Sequence, residues 1–368
     1  MKRWQTDRGY GKMRQNPTEN IKETEKERCK MNYQEVLEQA RGCIGDYCKA
    51  CSICNGRVCK NQMPGPGAKG VGDTAIRNYD KWQAIRVVMD TICENAVPDT
   101  SLELFGRTFR YPFFAGPVGA VTLHYGEKYN DLTYNNVLVK ACHDNGIAAF
   151  TGDGTDPAVM EAATEAIAAE GGAGVPTVKP WNIQLIREKL ELCKKAGSFA
   201  VAMDIDAAGL PFLKNMTPPA GSKTVEELAR VAKLAGVPFI VKGIMSVRGA
   251  QKAKEAGAAA IVVSNHGGRV LDQCPATAEV LADIAASLEG SGMKVLVDGG
   301  IRSGVDVFKA LALGADAVLI CRPFVPAVFG GGEEGVKLYI EKIGAELADT
   351  MAMCGAKDLA SITRSMVC

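Results

Sequence analysis

The sequence predicts an α/β chain: a (β/α)8 TIM barrel preceded by an N-terminal helical, Cys-rich extension. Three observations predict it. From Tyr111 onward, short apolar runs alternate with amphipathic segments, eight of each. Several amphipathic segments stop at a glycine, at Gly146, Gly197, Gly236, Gly257 and Gly314, where a helix wants a left-handed terminal residue. Eight strand–helix pairs in about 240 residues is the arithmetic of a closed barrel. The competing architecture is a doubly wound open sheet. No G-x-G-x-x-G turn follows the first strand to favour it.

The elements read in order as follows. Residues 1–30 are polar and charged without apolar periodicity, and are expected to be a disordered tail, with Met31 an alternative start. Residues 31–98 form a Cys-rich helical segment. It holds a helix through Tyr33–Ala40, five cysteines within 43–59, a Gly- and Pro-rich loop at 64–70, and a helix from Thr74 to Asn95. Residues 98–110 read as a short connecting strand or turn. The barrel occupies 99–368. Its strands are expected at 112–118, 147–151, 175–179, 199–204, 237–242, 259–263, 294–298 and 317–321. Helices are expected near 132–145, 158–170, 182–196, 223–235, 247–256, 276–289 and 303–313, with a last one from Gly335 to Met353.

Composition excludes several classes. A net charge of +1 gives no pull toward nucleic acid or a membrane surface. No apolar stretch approaches a transmembrane length, and the N-terminus lacks the apolar core of a secretory signal. Of 13 cysteines, eight are scattered singly, which suits a reducing cytoplasm better than a disulfide framework.

In a parallel barrel, chemistry gathers where strands end. The sixth strand ends in Ser264-Asn265-His266-Gly267-Gly268-Arg269. Histidine is a base near neutral pH, glycines admit a ligand to the backbone, and arginine is a fork for a carboxylate or phosphate. The seventh strand ends in Asp298-Gly299-Gly300-Ile301-Arg302, and the eighth in Cys321-Arg322-Pro323. Gly299 and Gly300 can present N–H groups to an anion, and Arg302 and Arg322 can neutralise a phosphate. Lys242 ends the fifth strand. A lysine in a barrel mouth needs an anion or an electron-rich partner, such as a flavin edge that gains charge on reduction.

The run from Ser264 to Asp272 resembles the signature of the FMN-dependent α-hydroxy-acid oxidase/dehydrogenase family. The likeness continues through 298–315 and 350–364, and reaches back to Leu104-Phe105-Gly106 and Gly116-Pro117-Val118-Gly119. The resemblance implies roles. His266 would be the catalytic base, Asp204 the acid that orients it, and Arg269 the grip on a substrate carboxylate. Lys242 and Ser264 would meet the flavin, and Gly116 to Gly119 would lie beside it, with Thr151 a further hydroxyl contact. Asp298, Gly300, Arg302 and Arg322 would hold the ribityl chain and phosphate.

Departures are also visible. Lys179 stands where the family has a flavin-contacting glutamine, and Trp181 where it has a substrate tyrosine. The stretch from Ile205 to Ser222 contains no second substrate arginine. A substrate bulkier than glycolate or lactate is expected, with Lys179 compensating and Trp181 stacking on it. Cys48-x2-Cys51-x2-Cys54-x4-Cys59 could chelate a [4Fe–4S] cluster or Zn²⁺, and a dozen-residue gap between zinc knuckles is absent. The alternatives are a redox-sensitive thiol patch or plain buried cysteines. The expectation is an FMN-dependent oxidoreductase, a dehydrogenase rather than an oxidase, passing electrons to an acceptor. An isomerase-like flavoprotein or an electron-transfer or binding module are the other readings. The resemblance also implies a tetramer.

Overall fold

All eight predicted strands form, and they close on one another. The computed structural model describes residues 31–63, 65–210, 213, 215–217 and 220–368. The expected tail at 1–30 lies outside the described residues. A hairpin of β1 (Leu102–Leu104) and β2 (Arg107–Phe109) forms in the stretch expected as a short connecting strand or turn. The barrel strands follow: β3 (Phe113–Ala115), β4 (Ala149–Thr151), β5 (Gly174–Val178), β6 (Val201–Asp204), β7 (Phe239–Ile244), β8 (Ala260–Val263), β9 (Lys294–Val297) and β10 (Ala317–Ile320). They pair in parallel in chain order, and β10 returns to β3. Almost every strand residue is buried, because helices cover the outer face and side chains fill the inner one.

The helices are α1 (Tyr33–Arg41), α2 (Asp73–Ala84), α3 (Val121–Tyr125), α4 (Asp131–Asp144), α5 (Pro157–Ala169) and α6 (Ile183–Lys195). Then come α7 (Val225–Ala235), α8 (Val247–Glu255), α9 (Thr277–Ser287), α10 (Gly304–Ala312) and α11 (Phe324–Met353). Local chemistry sets their starts. Thr224 and Glu227 form a capping box on α7, and Asp156 caps α5 ahead of Pro157. The last helix starts earlier than predicted and is interrupted at Gly332, where φ is 55°.

One expectation is corrected. The helix expected to run to Asn95 stops at Ala84, because β-branched Ile85, Val87 and Val88 enter an extended stretch. There Arg86 N–H donates to Cys368 O at 2.8 Å, and Cys368 N–H returns the bond at 2.9 Å. Tyr33–Cys368 is one compact unit. The reason is packing: α2 lies on the C-terminal rim of the barrel. Trp82, fully buried, donates its indole N–H to Gly299 O at 2.8 Å. The amides of Asn78 and Asn265 exchange hydrogen bonds of 2.7 and 2.9 Å.

Candidate active site

The backbone after β8 is bent to aim one side chain. His266 sits at φ 56°, in the left-handed region, and Gly267 and Gly268 follow at 63° and 82°. A non-glycine residue there costs of order 1–3 kcal/mol, so the surroundings must impose it. Asn265 does so. Its Oδ1 accepts from Gly267 N–H at 3.2 Å, and its amide donates to Pro275 O at 3.0 Å. His266 N–H donates to Ser264 Oγ at 3.1 Å.

The acid beside this histidine is Asp206, not the predicted Asp204. His266 Nδ1 lies 3.1 Å from Asp206 Oδ1. After Asp204 the chain leaves β6 and tightens into a 3₁₀ turn, Ile205–Gly209, which swings the next acid toward the histidine. Asp204 instead accepts from Lys179 Nζ at 3.1 Å. Burial would raise Asp206, but the charges of His266 and Lys242 hold it below the usual carboxylate range. For Asp204 burial dominates and pushes it up. Gly243 makes room: at φ 101° it forms the irregularity between β7 and β8, and a Cβ there would stand 2.5 Å from Asp206 Cγ.

Lys242 on β7, with Ser264 and Asp298 just past β8 and β9, forms a buried set. Lys242 Nζ donates to Ser264 Oγ at 2.9 Å and lies 3.2 Å from Asp298 Oδ2. Burial opposes its charge, yet Asp298 and Asp206 hold the ammonium above the ordinary lysine range. Gly299 and Gly300 sit at φ 86° and 87°, which only glycine adopts freely. Gly116 meets Cys321 so closely that any Cβ would strike its sulfur.

These groups surround one cavity of ≈420 Å³. Pro117, Val118, Gly119, Lys179, Arg302, Cys321 and Arg322 line it together with His266, Arg269, Lys242, Asp298, Gly299 and Gly300. Gly116, Thr151 and Ser264 stand behind this wall. Several buried polar atoms around the cavity lack a hydrogen-bond partner: Thr151 Oγ1, Thr177 Oγ1, Asp298 Oδ1 and Arg322 Nη1. Buried polar atoms are rarely left so unless a ligand completes them. Hydroxyls, an acid and an arginine around a cavity lined by Gly299 and Gly300 fit FMN.

Two predicted substrate contacts differ. Trp181 is 1% exposed and lies outside the cavity lining. Its indole N–H donates to Asp153 Oδ2 at 2.6 Å, so it cannot stack on a substrate. Arg269 lines the cavity, but its Nη1 donates to Gly65 O at 2.6 Å and to Gly67 O at 3.0 Å. The Gly- and Pro-rich loop therefore positions this arginine and, through Met63 and Pro66, roofs the cavity.

Cys48, Cys51, Cys54 and Cys59 are free thiols. Among the described residues no three His, Cys, Asp or Glu side chains are placed to hold a metal ion, so the expected ligand set is not converged on an ion-sized point. The reason is the irregular loop that carries them, which leaves the four thiols around a second cavity of ≈430 Å³. Burial, with smaller contributions from charge on Cys54, Cys59 and Cys51, pushes Cys48 up to about 12, so the thiols share one field.

Sequence reasoning missed Asp206, Thr177, Asn78 and Tyr125. Tyr125, at the end of α3, lines both cavities. Only Asp206 left a signal, as a second acid two residues beyond the strand end.

The FMN-dependent dehydrogenase family model matches residues 66–216 and 211–368. The 4-hydroxymandelate oxidase of Amycolatopsis orientalis is 29% identical over 357 residues, covering 84% of this chain and 95% of that protein. A peroxisomal (S)-2-hydroxyacid oxidase of Arabidopsis thaliana is 48% identical over 145 residues, 39% of each chain. The match thus spans under half the length of several curated relatives. A solved mandelate oxidase with (S)-2-phenylpropionate superposes with TM-score 0.72 at 27% identity, covering 90% of this chain and 97% of that one. A mandelate oxidase variant bearing a monooxide FMN adduct superposes with TM-score 0.70 at 30% identity, covering 81% and 92%.

Proposed function

Because this chain belongs to the FMN-dependent dehydrogenase family, we propose that it oxidises a 2-hydroxy acid with an apolar substituent to the 2-keto acid. The observation that carries the reading is His266, set 3.1 Å from Asp206 on the wall of the cavity that Arg269 and Lys242 also line. Bound FMN would supply a two-electron acceptor. Lys242, Ser264, Asp298, Arg302 and Arg322 would hold it, with the glycine N–H groups at 299 and 300 toward its phosphate. His266 takes the hydroxyl proton. Asp206 stabilises the imidazolium that forms and keeps the ring oriented. Arg269 grips the substrate carboxylate, steadied by the carbonyls of Gly65 and Gly67. Val118, Leu123 and Leu210 line the mouth and suit an apolar 2-substituent better than glycolate. The cysteine cavity beside this site favours a dehydrogenase over an oxidase.

The test is anaerobic flavin bleaching with a panel of 2-hydroxy acids. Bleaching should be fastest with apolar substituents, and His266→Ala should slow it by roughly 10²–10⁴-fold. No bleaching by any member in FMN-loaded protein would overturn the reading.

A further inference from the structure

We propose that the cavity walled by Cys48, Cys51, Cys54 and Cys59 seats an iron–sulfur cluster that relays electrons from the flavin site to a one-electron carrier. This rests on the reading of the neighbouring cavity as a flavin site.

The four thiols come from C-x2-C-x2-C-x4-C and all line one cavity of ≈430 Å³. A single ion holds its thiolates at about 2.3 Å and would draw them to a point. They do not meet at a point. A cluster of several irons and sulfides is itself the size of a small ligand and keeps its thiolates apart, so a cavity is what it requires.

The loop bearing the cysteines is fixed to the barrel. Gly45 N–H donates to Tyr125 O at 2.6 Å and Arg302 Nε to Cys54 O at 2.6 Å, while Ala68 N–H closes the loop on Lys60 O at 2.9 Å. Gly56, at φ 80°, packs against the backbone of Ala75. The space is therefore part of the fold.

Charge and position agree with this occupant. Four thiolates around a cluster leave net negative charge, and Arg302 and Arg322 stand in the cavity wall. The same two arginines, with Pro66 and Tyr125, also line the proposed flavin cavity. The two sites share a wall at the phosphate end.

The electrons balance. Oxidation of one hydroxyl to the carbonyl releases two electrons and two protons. The cluster accepts one electron at a time, one iron going from ferric to ferrous, and passes it on. Two molecules of a one-electron carrier protein are consumed per substrate.

The experiment is anaerobic production of the full chain, with iron, acid-labile sulfide, zinc and FMN measured per chain. About four irons and four sulfides are expected, with a paramagnetic signal after dithionite reduction. Cys51→Ser and Cys54→Ser should lose iron and sulfide while keeping FMN, and Cys93→Ser, outside the cavity, should lose neither. FMN-loaded wild-type protein without iron and sulfide would overturn the proposal. So would zinc alone, or a native disulfide among the four cysteines found by mass spectrometry. Iron and sulfide without FMN would instead overturn the flavin reading and leave the cluster standing.

Discussion

Asp153 and Asp298 are both buried acids on the barrel rim, and both lie beside a lysine, yet they are completed in opposite ways. Asp153 Oδ1 accepts from Lys189 Nζ at 2.7 Å and Gly154 N–H at 2.8 Å. Its Oδ2 accepts from Trp181 at 2.6 Å and Lys179 N–H at 3.0 Å. Asp298 gives one oxygen to Lys242, and its other oxygen is buried without a partner. Arg322, across the same cavity, repeats the pattern with Nη1. A polar group satisfied from within holds the wall together. One left unsatisfied at a cavity marks the place that expects a ligand.

That contrast can be broken by experiment. The largest effect is expected at Asp153. Asp153→Ala leaves the Lys189 ammonium buried and unpaired, and should cost about 3–5 kcal/mol in denaturant unfolding, with or without FMN. Arg322→Ala should behave in the opposite sense. FMN affinity should fall by about 1.5–3 kcal/mol, while the apoprotein unfolds at no lower denaturant concentration. Loss of apoprotein stability without loss of affinity would reverse the assignment.

Trp181→Phe keeps the apolar bulk but removes one donor from Asp153. A stability loss of about 1 kcal/mol with unchanged KM is expected; a raised KM would return Trp181 to the substrate. The smallest effect concerns the tie between α2 and α9. Arg77 holds Glu279 with bonds of 2.7 and 2.6 Å. Burial acts against it, but the guanidinium and a backbone N–H lower Glu279 to about 2. Because the folded value lies below the ordinary one, its stabilisation is full above about pH 5 and is lost as pH falls toward 2. The pair is largely exposed, so only a small part of the stability is at stake. Arg77→Ala should remove that portion of the acid dependence in unfolding curves.

Period and punctuation made the barrel legible. The strands of a parallel barrel are buried on both faces and read as plain apolar runs, and glycine stops marked the helix ends. Residues at strand termini were legible for the same reason: Lys242, Asp298 and Arg322 follow an apolar run directly, and His266 follows one with two residues between. Side-chain direction beyond a strand end was not. Asp204 and Asp206 differ only in whether the chain has already turned. Trp181 looked like a substrate surface because its partner, Asp153, carries no local mark. Ile85 to Val88 fitted a helix until the C-terminal residues Met366–Cys368 supplied a strand partner from the far end of the chain.

The amide pair of Asn78 and Asn265 has a consequence in time. The partners are 187 residues apart, and Trp82 waits 217 residues for Gly299. At 5–20 residues per second, a ribosome needs roughly ten to forty seconds to deliver them. Through that interval α2 exists without the surface it is shaped for, its indole uncovered. Helper proteins that shield apolar side chains on nascent chains would engage this helix through that interval. Slowing translation should lengthen that engagement, and a ribosome stalled before Asn265 should hold a chain whose α2 is still open to protease.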